Sequence, residues 1–237
     1  MAARPLDKWN LYLSPEHVCH YLPARRARLA VFDPGQRPTR DGYAVLSARG
    51  FRRSGSFLYR PACIGCNACQ SLRIPVTEFT PDRSQRRTFR HNADLSVTAL
   101  APQLTSEQYR LFVRYLRARH RGGGMDGAGR EACMDFLDGG WTDTVFHEFR
   151  DHGRLLAVAV TDRFADGLSA VYTFFEPEEA RRGLGVYAIL WQADAARRAG
   201  LRWLYLGYWI GGSAKMHYKN RFRPHEILTG DGWRRIG

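Results

Sequence analysis

The chain reads as an α+β protein in which a mixed sheet flanked by helices follows a smaller, β-rich amino-terminal part. Three observations predict this. The first ninety residues are rich in Gly, Pro and Arg and hold only short apolar runs. From Thr105 the apolar residues recur with helical period. From Thr144 three apolar runs follow one another across Asp151-His152-Gly153 and Ala165-Asp166-Gly167, both of which carry hairpin-turn chemistry. A boundary near residue 95 divides the chain into 1–95, an amino-terminal domain with a cysteine cluster, and 96–237, the larger domain.

Composition supports a packed protein. With 237 residues, 44% of them hydrophobic, the chain can bury a real core. No repeat or low-complexity tract is visible, which argues against a solenoid.

The elements follow in order. Leu29 to Phe32, Phe57 to Tyr59 and Leu72 to Val76 read as strands, and a short helix is expected around Tyr43 to Ala48, closed by Gly50. Arg83 to Asn92 reads as a polar, basic segment. After Thr105, Ser106 is suited to cap a helix and Glu107 and Gln108 to fill its first turn. Tyr109, Phe112, Val113 and Leu116 share one face of it, with Arg110, Arg114, Arg117 and Arg121 alternating around them. A glycine-rich loop, Gly122 to Gly129, leads to a second short helix, Glu131 to Leu137. The runs Thr144 to Phe149, Leu155 to Asp162 and Leu168 to Phe175 then form an antiparallel meander. Past Glu176-Pro177 and Arg181-Arg182-Gly183-Leu184-Gly185 comes a helix with Leu184, Tyr187, Ala188, Trp191 and Ala195 on one face. Gly200 ends it, and Leu201 to Ile210 reads as a strand.

Charge and chemistry narrow the function. The 36 basic against 23 acidic residues give +13, which favours a polyanionic partner, nucleic acid first. All but three of the basic residues are arginine, so Lys8, Lys215 and Lys219 stand out. Two lysines four apart mark a place where a compact ammonium is wanted, or they are ordinary solvated charges. The glycine turn at 183–185 delivers backbone N–H groups to a helix N-terminus, and unpaired amides together with the helix dipole favour a phosphate there. Cys63, Cys66 and Cys69 repeat at a fixed interval. Three thiolates so spaced can fill three corners of a tetrahedral metal site, with Cys19 the nearest fourth in type; otherwise they are reduced thiols lining a turn. Five unevenly spaced cysteines and no apolar stretch after MAARPLDKWN argue against secretion and for the cytoplasm. The longest apolar runs, such as Leu155 to Val160, fall far short of the roughly 20 residues a membrane span needs.

The segment 181–185, set after a meander and before a helix–strand pair, resembles the pyrophosphate loop of the GCN5-related acyltransferase (GNAT) fold. Further stretches carry a more specific resemblance: HVCHYLP (17–23), GFRRSG (50–55), LYRPAC (58–63), the SQRR run, RHRGGGMD (119–126), and GVYAILWQ, LYLGYWI and KMHYKNRFRP across 185–224. Over nearly its whole length the chain resembles the tRNA-dependent aminoacyltransferases that extend protein amino termini. It is close to their bacterial aspartate/glutamate leucyltransferase branch, which is similar to the eukaryotic arginyl-tRNA–protein transferases. Those eukaryotic relatives are longer and carry an adjacent Cys-Cys pair where this chain has the spaced triple.

The resemblance implies transfer of a leucyl group from leucyl-tRNA to proteins with N-terminal Asp or Glu. It makes 96–237 a GNAT-like catalytic domain and requires no cofactor for the chemistry. The reactive centre is expected where the strand before the glycine turn splays from the strand after the helix. Backbone amides near Tyr172, Thr173 and Phe174 would stabilise the oxyanion there, and Tyr208 would orient the amine unless it and Trp209 are core aromatics. Arg181, Arg182, Gly183 and Gly185 would hold the terminal phosphates of the tRNA. Lys215 and Lys219, placed on one helical face, would meet phosphate or the acidic first side chain of the acceptor. Arg52, Arg53 or Arg60 would read that side chain with a bidentate pair. Cys19, Cys63, Cys66 and Cys69 are the candidate ligands of a structural Zn or Fe–S cluster. Arginine as the donated residue, acetyl-CoA-dependent acetylation on the same fold, and a non-catalytic zinc-stapled RNA-binding module are the alternatives.

Overall fold

The computed structural model describes residues 9–237, and of Lys215 the backbone alone. Lys8, and most of the stretch read for a leader, lie outside the described residues. The amino-terminal part holds β1 (Leu11–Leu13), β2 (His17–Val18), β3 (Arg26–Ala27), β4 (Leu29–Phe32), α1 (Arg40–Ala48), β5 (Arg52–Ser54), β6 (Phe57–Pro61) and β7 (Gln70–Pro75). Next come α2 (Arg83–His91), β8 (Ser96–Leu100), α3 (Ser106–Arg119), α4 (Arg130–Leu137), β9 (Thr144–Asp151), β10 (Arg154–Arg163) and β11 (Gly167–Phe175). A 3-10 turn, Pro177–Arg182, precedes α5 (Leu184–Arg198) and β12 (Trp203–Trp209); a second, Ala214–Arg221, precedes β13 (His225–Thr229) and β14 (Gly232–Ile236).

The expected mixed sheet flanked by helices is present, with a small β-rich unit beside it. The large sheet has the order β14-β13-β7-β12-β11-β10-β9-β8, and the small one β1-β4-β6-β5. Within the large sheet only β11 and β12 run parallel, joined by the α5 crossover, as a parallel pair requires. Strand β7 lies on the amino-terminal side of residue 95 and pairs with both β12 and β13. Among the described residues no helix is long and apolar enough to cross a membrane.

Both faces of the sheet are covered, which explains the unbroken apolar run in β10. Val158 and Val160 pack with Leu111 and Phe112 of α3 and Leu137 of α4. Ala157 and Ala159 point the other way, onto Leu184, Tyr187 and Ala188 of α5. A strand buried on both sides loses the polar alternation of a half-exposed one. Leu190, Ala193 and Ala196 extend the α5 contact to Leu72, Ile74 and Leu204.

Two helix starts differ from the sequence expectation. Helix α3 is capped by Thr105 rather than Ser106: Thr105 Oγ1 accepts from the Gln108 amide at 3.2 Å, and Gln108 Oε1 accepts from the Thr105 amide at 2.8 Å. Asp82 and Gln85 form the same reciprocal box and start α2, in the segment read only as polar and basic. Its buried side is carried by Gln85 and the half-buried Phe89, too little apolar material to register as a helical stripe.

The two sheets are fastened by a buried ion pair. Arg53 Nε and Nη2 donate to the two carboxylate oxygens of Asp162 at 2.6 and 2.7 Å, with both side chains at or below 1% exposure. Tyr43 and Thr144 hydroxyls donate to the same carboxylate at 3.0 and 2.8 Å. Breaking one member of such a pair costs about 3–5 kcal/mol, because the remaining charge is buried without compensation.

Candidate functional site

Strands β11 and β12 pair over only three positions, Gly167 with Trp203, Leu168 with Leu204 and Ser169 with Tyr205. Beyond them β11 runs on to Phe175 and β12 to Trp209 with no further pairing between the two, so the sheet forks. Irregularities on each prong accompany the divergence. The β10–β11 register shifts between Val160 and Thr161, and the β12–β7 register shifts between Tyr205 and Gly207. Bulges of this kind bend a strand and re-aim its side chains.

Arg52 bridges the fork. Its Nη2 donates to the Ala170 carbonyl of β11 at 3.2 Å, and its guanidinium lies against Gly207 of β12. Gly207 has φ +72°, and a Cβ there would stand 2.2 Å from Arg52 Nη1, so conformation and space both demand glycine. Nη1 of Arg52 is buried and has no hydrogen-bond partner. A buried guanidinium N–H without an acceptor is costly, and an anionic group entering the fork would supply one.

Lys219 approaches the same bulge. Its ammonium donates to the Leu206 and Tyr208 carbonyls, both at 2.8 Å. Burial, with the Arg52 charge adding to it, lowers its pKa to about 7. Lys219 therefore holds the β12 bulge from inside rather than offering a solvated charge to phosphate, which corrects the sequence expectation. The segment is a 3-10 turn, in which residues three apart eclipse, so positions 215 and 219 do not share a face.

The other expected residues separate into engaged and open groups. Tyr208 donates to the carbonyls of Gly50 at 2.8 Å and Tyr59 at 3.3 Å, and burial keeps its phenol protonated far above the ordinary range. It ties β12 to the small sheet and has no ionisable oxygen free for a relay. Arg53 is 4% exposed and held by Asp162, out of reach of an external carboxylate. Arg60 lies over the Phe51 ring at 5.1 Å. Tyr172 and Thr173 pair with Val160 and Ala159 of β10. Tyr172 packs its ring on Phe112 and Phe136, and burial raises its phenol. Because hydrogen-bonded and non-bonded positions alternate along such a ladder, part of the 172–174 backbone faces the open prong.

The glycine turn sits where expected. Gly183, at φ +63°, caps α5, and Gly185 lies against the Phe175 ring, where a Cβ would come within 3.1 Å. First-turn amides of a helix lack intrahelical acceptors and suit an anion. Arg181 is exposed beside it. Arg182 is instead clamped by Asp94 (2.9 Å) and Asp151 (3.1 Å), so it fixes the turn and does not face solvent with a free charge.

The thiols gather at a cavity of about 440 Å³ lined by Cys19, Cys63 and Cys69 with Tyr21, Tyr59 and Tyr208. Cys63 Sγ stands 3.5 Å from the Arg28 amide and 3.6 Å from the Arg28 carbonyl. Burial pushes Cys69 up to about 11, with the neighbouring thiols Cys19, Cys63 and Cys66 adding to it. A backbone hydrogen bond from Ala68, and Arg25 nearby, lower Cys66. Among the described residues no group of three or more His, Cys, Asp or Glu is arranged to hold a metal ion, while Cys19, Cys63 and Cys66 lie near enough to Cys69 to raise its thiol.

A forked mixed sheet, with a glycine turn opening the crossover helix, defines a GNAT-like fold. Fold likeness alone is seen with L-PGS from Bacillus licheniformis, at TM-score 0.52 and 13% identity over 83% of this chain and 63% of that one, less than two thirds of the neighbour's length. Sequence is more specific. Profiles described as "Arginine-tRNA-protein transferase, N terminus" and "Arginine-tRNA-protein transferase, C terminus" match residues 17–87 and 107–229. Two proteins named aspartate/glutamate leucyltransferase are close in sequence. The one from Hahella chejuensis is 49% identical over 94% of this chain and 95% of its own. The one from Halorhodospira halophila is 51% identical over 92% and 93%. The chain belongs to the arginine-tRNA-protein transferase family, a family of aminoacyltransferases.

Proposed function

We propose that this protein transfers a leucyl group from leucyl-tRNA to the α-amino group of proteins beginning with Asp or Glu, marking them for degradation in the cytoplasm. The observation that carries the reading is the fork bridged by Arg52, with an unpartnered Nη1 next to Gly207 at its base and the glycine turn against Phe175 at the end of β11. In this reading the turn and Arg181 hold the phosphates at the 3′ end of the tRNA, and the ester enters the fork. Arg52 accepts the carboxylate of the acceptor's first side chain.

The chemistry asks little of the protein beyond placement. An aminoacyl ester is already activated, and an α-amino group with a pKa near ~8 is partly neutral at cellular pH, so no cofactor is called on. The amine attacks the ester carbonyl, the C–N bond forms, the C–O bond breaks, and the tRNA leaves with its hydroxyl restored. Orientation supplies about 7–11 kcal/mol in favourable cases and an oxyanion donor about 3–4. Amides on the open prong of β11 are the donors proposed here. Lys219, titrating near neutrality, stands at the same bulge as a proton acceptor.

The cavity favours leucine over arginine as the donated residue. It opens beside Tyr208, and Leu29, Val31, Phe57 and Pro61 line it with no Asp or Glu among its walls. A guanidinium buried there would have no acid to pair with, at a cost of several kcal/mol.

The test uses Arg52→Gln with leucyl-tRNA and peptides beginning with Asp or Asn. Loss of a charge-assisted hydrogen bond of about 1.5–3 kcal/mol should lower the Asp over Asn preference roughly 10- to 100-fold. An unchanged preference refutes the assignment of Arg52.

A further inference from the structure

Helix α2 has no role in the site as described, yet it is built against it. Thr88 Cγ2 stands 3.4 Å from where a Cβ of Gly183 would lie, Asn92 Nδ2 donates to the Arg182 carbonyl at 2.8 Å, and Gln85 Nε2 donates to the Arg221 carbonyl at 3.0 Å. Phe89 packs on Tyr187 of α5 at 5.6 Å. These contacts fix the orientation of the helix with Gln85, Phe89 and Asn92 inward.

The opposite face carries four arginines. At about 100° per residue, Arg83, Arg86, Arg87 and Arg90 fall within about 100° of arc, and at about 1.5 Å rise they form a stripe about 10 Å long. All four are exposed. Elsewhere arginine charge is repeatedly matched by acid: Arg114 with Glu176, Arg150 with Glu107, Arg154 with Glu179, Arg163 with Asp143, Arg197 with Asp194. Among the described residues none of the four on α2 is paired with an acid. Aligned, uncompensated cations on a rigid helix repel one another, and a polyanion relieves that repulsion.

We infer that the α2 arginine stripe is a docking track for the phosphate backbone of the donor tRNA's acceptor stem. The inference rests on the proposed use of leucyl-tRNA. It follows from contiguity: the inward face of α2 abuts the turn proposed to hold the terminal phosphates, so RNA leaving that turn across the helix reaches its outer, cationic face, about one helix diameter (~10 Å) away. Phosphate contacts position the nucleic acid without reading its sequence, as exposed arginines on one helix face suit.

The test replaces all four arginines by alanine in one variant and by lysine in another, with binding of leucyl-tRNA measured across a salt series. Transfer to an Asp peptide is followed with two donors, full leucyl-tRNA and a leucyl ester of the 3′-terminal trinucleotide. Four lost phosphate contacts should flatten the slope of log affinity against log salt by about 3 and weaken tRNA binding by on the order of tenfold or more near 0.1 M salt. The lysine variant should retain binding, and the KM for the trinucleotide donor should be the same in all three proteins. Equal slopes for wild type and the alanine variant overturn the inference, as does a loss confined to the KM of the acceptor peptide. A wild-type protein that uses the trinucleotide as well as the full tRNA also overturns it. Absence of transfer from either donor by the wild-type protein is a separate result, which removes the donor reading together with the track.

Discussion

Lys219 gives the sharpest prediction on stability. The residue is 9% exposed with its ammonium buried, and its pKa falls from 10.5 to about 7, first through burial and then through Arg52. A shift of that size corresponds to about 5 kcal/mol against the charged form, at about 1.36 kcal/mol per unit. Between pH 7 and 10.5 the unfolded chain holds this proton and the folded chain does not, so stability rises with pH across the window. Below pH 7 both forms are protonated and the full penalty is present; above 10.5 both are neutral and it vanishes. Lys219→Met removes the titration. Urea denaturation at fixed pH should therefore show the stability of wild type, relative to the variant, increasing by about 1.4 kcal/mol per pH unit between roughly pH 7.5 and 9.5. Parallel pH profiles, or a difference that shrinks as pH rises, would refute the assignment of a buried, readily deprotonated amine.

Further outcomes follow from the same geometry. Asp162→Ala strands the Arg53 charge between the two sheets and should cost about 3–5 kcal/mol in denaturant titration; a cost below about 1 kcal/mol would contradict the clamp. Gly207→Ala drives a methyl into Arg52 and imposes a strained φ, so it should reproduce the lost Asp over Asn preference of Arg52→Gln, and retention of that preference counts against the wedge. Cys66, with its lowered thiol, should be alkylated near neutral pH well before Cys69, held at about 11. Peptide mapping that finds Cys69 modified first would reverse that order.

The carboxy-terminal half of the fold was legible in the sequence because its signals are local. The meander from Thr144, the glycine turn at 183–185 and the apolar face of α5 each announce themselves within a dozen residues, and their order specified the fork between β11 and β12. What escaped depends on distant partners. Nothing in Gln70–Pro75 says that it will pair with Trp203–Trp209, whereas the Gly230-Asp231 turn between β13 and β14 is a local hairpin signal that the sequence reading passes over. Helix α2 was missed because arginines fill its outer face; the Asp82–Gln85 capping box was its one local sign.

Site chemistry was less legible than the fold for a related reason. Composition made the arginines look interchangeable, whereas structure divides them by partner: Arg53 and Arg182 are consumed by acids, Arg60 lies on a ring, and Arg52 keeps an unpartnered N–H at the fork. Lys219 stood out among so many arginines, but its burial against the Leu206 and Tyr208 carbonyls is a tertiary fact. The cysteine spacing says nothing of direction: Cys63 meets the Arg28 backbone, and Cys19, Cys63 and Cys69 line a cavity.

The most direct measurement is an experimental structure of the protein with a non-hydrolysable amide analogue of leucyl-adenosine. The analogue's carbonyl should lie in the fork beyond Arg52, along the unpaired stretch of β11, with its adenosine toward Gly183 and its leucyl side chain in the cavity beside Tyr208. An analogue bound away from the fork, with the glycine turn untouched, would contradict the donor site.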